Sequence, residues 1–136
     1  DLCPTLLEMA GAEPIEVPDS RSFVDLLADP AGHADDYRTG YAEYFGTRMY
    51  LTQRITYDGD WKLVFNGFDF DELYNLAEDP WEMNNLADDP AHRDRLREIS
   101  QVMWRFVRET GDHVLENSHY PILRVAPFGP HTGQTP

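Results

Sequence analysis

Apolar residues recur at helical spacing at the start of the chain, where Leu2, Leu6, Met9 and Ala10 share one face. Pro4 suits a first turn and Gly11 the left-handed residue that ends it, so the spacing predicts a helix over 1–11. Residues 12–18 carry Pro14 and Pro18 and read as an extended connection. Asp19, Ser20 and Ser22 offer caps to a short helical turn built on Phe23, Leu26 and Leu27, while 29–37 has almost nothing to bury and reads as an exposed linker.

From Gly40 the period changes to two. Tyr41, Ala42, Tyr44 and Phe45 predict a first strand, and 49–57, rich in β-branched and aromatic residues, a second. Asp58-Gly59 is a hairpin signal, because glycine accepts the positive φ that a tight turn of the right twist requires. Beyond it Trp61, Leu63 and Phe65 alternate with Lys62, Val64 and Asn66, and 73–76 reads as a short last strand. Asp89-Pro90 then supplies a cap and a first-turn proline, Leu96, Ile99, Met103, Phe106 and Val107 repeat at helical spacing, and Gly111 closes the pattern.

These elements predict an α+β fold: a small antiparallel sheet of three to four strands covered by one long amphipathic helix, preceded by a helix and linker and followed by an extended tail marked by Pro121, Pro127, Pro130 and Pro136. The expected division is 1–39, 40–111 and 112–136.

Composition narrows the class. The chain has 136 residues, with 25 acidic against 11 basic side chains and a net charge of -14. A protein of this size buries about two-thirds of its surface, enough for one core. Its Trp, Tyr and Phe content argues against disorder. So negative a surface repels phosphate backbones and anionic lipid, so neither nucleic acid nor a membrane is an expected partner. No apolar run exceeds three residues, so no targeting segment shows and the compartment stays unassigned. The opening residue is not Met and already lies in a helical pattern, which suggests a piece of something longer.

Candidate chemistry is sparse. Asp58/Asp60, Asp69/Asp71/Glu72 and Asp88/Asp89 lack calcium-loop spacing, and the first and last pairs have turn and cap duties. His33, His92, His113, His119 and His131 form no i, i+4 pair with a glutamate at metalloprotease spacing. His113 and His119 flank the exit of the long helix and are the candidates for a cleft rim. The sequence contains no GxSxG elbow, phosphate-binding glycine loop or dinucleotide fingerprint. The residues alone name no reaction.

Taken in order, however, the segments resemble the C-terminal portion of the sulfatase family, within the alkaline-phosphatase-like hydrolases. DLCPTLLEMAG resembles the helix that closes the large catalytic domain there, and DSRSFVDLL the G-R-S-[LF]-x-x-L-L that follows, with Ser20 where glycine is usual. DGDWKLVFN is similar to the strand pair carrying R-x-x-K-[LY]-[IV]. DELYNLAEDPWEMNNLADDP matches the long pattern E-L-Y-[DN]-L-x-x-D-P-x-E-x-x-N-L-A. That pattern reads as a structural connector: a strand end at Leu73 and Tyr74, a turn at Asp79-Pro80, a short helical turn over 82–85, and Leu86 as an anchor before the capped helix.

The likeness covers roughly 1–111. It implies a protein that hydrolyses sulfate esters with formylglycine and calcium, and it places those groups in the large domain, so no catalytic or metal-binding residue and no cofactor carries onto these positions. Cys3 would be the formylglycine precursor only in a Cys-x-Pro-x-Arg context, and Thr5 and Leu7 stand where that pattern needs Pro and Arg. The expected partners are the protein's own N-terminal catalytic domain, a small-molecule or carbohydrate sulfate ester for the whole protein, and another copy through the exposed first helix. The same region of a phosphonate monoester or phosphodiester hydrolase, and a free-standing acidic interaction module, are the alternatives.

Overall fold

The computed structural model describes residues 1–16, 18–46, 52–116 and 126–129. They fall into two compact units, 1–38 and the chain from Thr39 on.

The first unit is helical. α1 (Leu2–Met9) is followed by Gly11 at φ 64°, the left-handed stop that the sequence predicts. α2 (Val24–Ala28) is short, as expected. Residues 29–37 are not an open linker: α3 (Pro30–His33) and a 3-10 turn (Ala34–Tyr37) occupy them. Asp29 explains the difference. Its carboxylate accepts from Gly32 N at 3.0 Å, and Pro30 sits where a lost N–H costs nothing. Local capping therefore forms a turn that buries no residue and leaves no apolar period to read. Among the described residues of this unit Thr5 is the buried one; its Oγ1 donates to Asp1 O at 2.7 Å and accepts from Phe23 N at 3.0 Å.

The second unit is an antiparallel sheet in the order β1 (Thr39–Tyr44), β2 (Gln53–Asp58), β3 (Trp61–Asn66), β4 (Glu72–Asn75). Asp58 pairs with Trp61 across a two-residue loop in which Gly59 takes φ 60°. The expected start of the second strand at 49–51 lies outside the described residues. A 3-10 turn (Pro90–His92), capped by Asp89 through Ala91 N at 2.9 Å, leads into α4 (Arg93–Thr110), and Gly111 ends it at φ 66°. The next residues are not extended at once. α5 (His113–Glu116) forms one turn, because the Asp112 carboxylate accepts from Val114 N at 3.2 Å.

The core lies between one sheet face and α4. Leu63, Phe65 and Leu73 meet Leu96, Ile99, Met103, Trp104 and Val107, with Leu86 packed at the edge as the connector pattern requires. Each fully buried aliphatic or aromatic side chain contributes roughly 1.5–3 kcal/mol. Segment 126–129 returns to this core: Phe128 is buried and its carbonyl accepts from Trp104 Nε1 at 2.6 Å. The helical turn expected over 82–85 does not form, since Glu82 sits in the left-handed region at φ 55°.

Candidate functional site

Three places in the second unit concentrate polar chemistry. The most deeply buried is the row of β2 that faces α4. Register pairs Arg54 with Phe65 and Thr56 with both Leu63 and Tyr41, so strand alternation carries Thr52, Arg54 and Thr56 under the helix beside the apolar row of β3. Arg54 is fully buried there. Its guanidinium grips the buried Asp112 carboxylate with two hydrogen bonds, Nε to Oδ2 and Nη2 to Oδ1, the latter 2.9 Å. Nη1 donates to Thr52 Oγ1 at 2.6 Å and Gln53 O at 2.8 Å, and Tyr41 OH donates to Asp112 Oδ2 at 3.2 Å. Tyr41 in turn stacks on Phe106 of α4 with ring centroids 5.2 Å apart.

The electrostatics follow from this packing. Burial alone would push the Asp112 carboxyl up, but the hydrogen bonds and charge of Arg54 outweigh it and hold the group below the usual carboxylate range. Desolvation likewise works against the Arg54 cation, and the Asp112 hydrogen bond and charge more than restore it. Burial, together with the nearby Asp112 and Glu43 charges, raises the Tyr41 phenol far above 10. Both members of the ion pair stay charged and saturated, and the hydroxyl stays protonated. The cluster offers neither a nucleophile nor a proton carrier; it pins β1, β2 and the start of α5 to one another.

The second place is a cavity of about 410 Å³ between the loops after β3 and β4, lined by Phe68, Asp69, Phe70, Asp71 and Asp88 together with Leu96 of α4. Two of its carboxylates have local work. Asp71, buried, accepts from Asn66 N at 3.0 Å, and Asp69 accepts from Phe70 N at 2.9 Å. Glu72, next along the chain, accepts from Tyr74 OH at 2.6 Å. Among the described residues no three His, Cys, Asp or Glu side chains come together so as to hold a metal ion.

The third is the loop over 79–85. Asn85 bridges it to the sheet, its Oδ1 accepting from Leu73 N and Ala87 N at 3.0 and 2.9 Å and its Nδ2 donating to Asp71 O at 2.9 Å. Asp79 is held below the usual carboxylate range by the N–H groups of Met83, Asn84 and Trp81.

Of the rim candidates, His119 lies outside the described residues, as does the side chain of His113, whose backbone opens α5. Cys3 is exposed in the first turn of α1. Sequence reasoning missed the Arg54–Asp112 pair. The available signal was the alternation Thr52, Arg54, Thr56, which in register with Leu63 and Phe65 places a cation on the covered face.

Residues 1–109 match the family described as N-sulphoglucosamine sulphohydrolase, C-terminal. A functionally uncharacterised protein of Haemophilus influenzae is 35% identical over 124 residues, 90% of this chain and 62% of that protein. The ulvan-active sulfatase of Formosa agariphila is 26% identical over 148 residues, 86% of this chain and 30% of that enzyme. Among solved structures, one of an enzyme in complex with its substrate D-glucosamine-2-N,6-O-disulfate superposes with a TM-score of 0.66 at 23% identity, over 88% of this chain and 25% of that one. The chain thus spans less than two-thirds of these relatives. Since that family match runs over residues 1–109 of the 136, the chain belongs to the sulfatase family as its C-terminal region.

Proposed function

We propose that this chain is the C-terminal part of a sulfatase, that the whole polypeptide hydrolyses sulfate esters, and that these residues buttress its catalytic domain. The observation that carries the reading is the family match running through both units, over 1–109. Substrates of the sulfated-carbohydrate class are proposed from the ulvan-active sulfatase and from the sulfated glucosamine bound in the solved structure described above. The proposed division is 1–39 with the catalytic domain, 40–111 as the C-terminal subdomain and 112–136 as a tail, with His113 and His119 at the substrate rim.

Formylglycine and calcium are the groups such an enzyme would use, and the described residues fit neither. Cys3-Pro4-Thr5-Leu6-Leu7 lacks the maturation pattern, and no ligand set for a cation is assembled among the described residues. Both groups would be held by residues outside this chain. Exposed Leu2, Leu6 and Met9 on α1 support a partner for the first unit, the catalytic domain or, in its absence, a second copy.

Hydrolysis of an aryl sulfate and of a sulfated glucosamine tests the reading. The chain alone should give no turnover, and a longer polypeptide carrying an upstream Cys-x-Pro-x-Arg should give it. Turnover by residues 1–136 alone, or its absence from the matured longer polypeptide, overturns the proposal.

A further inference from the structure

The loop over 79–85 is firmly held yet turns large apolar side chains outward. Trp81 is 82% exposed and Met83 77% exposed. Between them Glu82 adopts a left-handed backbone that an L side chain rarely takes, at a cost of order 1 kcal/mol. Several contacts fix it there. Lys62 Nζ donates to Glu82 Oε2 at 2.6 Å, Asn84 N to Asp79 Oδ2 at 2.8 Å, Glu82 N to Asp79 O at 3.1 Å, and Asp79 N to Asn75 O at 2.8 Å. Relaxing φ at Glu82 would re-aim its neighbours, so the strained residue and its ion pair hold an indole and a thioether in water.

Lys62 also locates the loop. It pairs with Tyr57 and Tyr74 and alternates with buried Leu63, so it stands on the sheet face away from α4. The β1–β2 half of that face carries exposed Ala42, Tyr44 and Tyr57 around half-buried Ile55, whereas Val64 and Tyr74 on its β3–β4 half are buried. Trp81 and Met83 offer only ~300 Å² by themselves, short of the ~800 Å² per partner of a standard interface. The neighbouring sheet face can supply the remainder. An outward Trp beside Met is the composition of an interface centre rather than of a solvated loop.

We infer that Trp81 and Met83, with the open sheet face beside them, form the surface on which the second unit docks against the catalytic domain of its own polypeptide, an inference that rests on the function proposed above. Two observations select this occupant. In the solved relative the equivalent fold is a quarter of a longer chain, which leaves most of that chain to cover it. The exposed Glu78 and the carboxylate of Asp79 border the loop, and the net charge of -14 disfavours a second copy of this chain. The complementary surface is an apolar socket flanked by lysine or arginine.

The test is peroxide oxidation of methionine read residue by residue by mass spectrometry, on residues 1–136 and on the longer polypeptide, with buried Met103 as the slow internal standard. Met83 should oxidise at the rate of free methionine in the short chain and at least tenfold more slowly in the long one. Trp81→Lys should restore the fast rate in the long polypeptide. Equal Met83 rates in the two proteins overturn the inference; if the longer protein still hydrolyses sulfate esters, the functional reading survives that result. Protection of Met83 in a protein without sulfatase activity supports the dock and removes the reading. Protection that depends on protein concentration overturns the inference in favour of a second copy.

Discussion

α1 and α4 both carry an apolar stripe at helical spacing, yet the two stripes meet opposite fates. On α4, Leu96, Ile99, Met103 and Val107 are buried against the sheet. On α1, Leu2, Leu6 and Met9 remain 64%, 56% and 65% exposed. Amphipathicity therefore records that a helix has a partner, not that the partner lies in the same chain. The second unit contains both halves of its core. The first is held by capping and hydrogen bonds around Thr5, with an apolar face to spare, the arrangement expected if, as proposed, its sheet belongs to a catalytic domain.

Substitutions should separate the two units sharply. The largest loss is expected from Asp112→Ala, which leaves Arg54 charged and buried without its partner; breaking a buried pair on one side costs ~3–5 kcal/mol. Replacing both members, Arg54→Met with Asp112→Leu, should recover most of that loss, measured by urea denaturation. Leu63→Ala removes a fully buried core side chain and should cost ~2–5 kcal/mol. Thr56→Val should act in the other direction by ~1 kcal/mol. Its buried Oγ1 finds no hydrogen-bond partner among the described residues, and a methyl group of the same shape needs none. Leu6→Ser on the exposed stripe should stay within ~0.5 kcal/mol in the isolated chain. A loss of several kcal/mol at Leu6 would erase the distinction between the units.

Titration sharpens the same contrast at two ends of the pH scale. The folded Asp112 pKa lies below its ordinary value of 3.8, so its pairing stabilises fully above the unfolded value and is lost as pH falls below about 4. Asp112→Asn should flatten the decline of the urea midpoint in that range. Burial, then the hydrogen bond from its hydroxyl to Glu72, raises Tyr74 from 10.0 to about 12. Its contribution is complete below pH 10 and is lost as pH climbs towards 12, where absorbance of the phenolate reports the transition. Tyr74→Phe should remove that alkaline step.

Legibility followed the distance over which each feature is encoded. The alternation of Trp61, Leu63 and Phe65, the Asp58-Gly59 turn, the Asp89 cap and the Gly111 stop are local signals, and each appears where the sequence puts it. The turns over 30–37 escaped because a single capping carboxylate, Asp29, makes them without burying a residue. The Arg54–Asp112 pair escaped because its partners are 58 residues apart and an arginine in a strand ordinarily faces water. The connector pattern gave the anchor at Leu86 and the turn at Asp79, but not the left-handed Glu82 that turns Trp81 outward. No local pattern encodes which surface a missing neighbour covers, so the candidate docking face emerged only from three-dimensional exposure.

Amide hydrogen exchange on residues 1–136, at a concentration where the chain is shown to be monomeric, tests the central claim most directly. The amides of β2, β3 and α4 should be protected together, at the free energy of global unfolding, while those of α1 exchange within a few-fold of the unstructured rate. Protection of α1 equal to that of α4 in the monomer would show that the first unit owns a complete core, and would contradict the account of this chain as one part of a larger sulfatase.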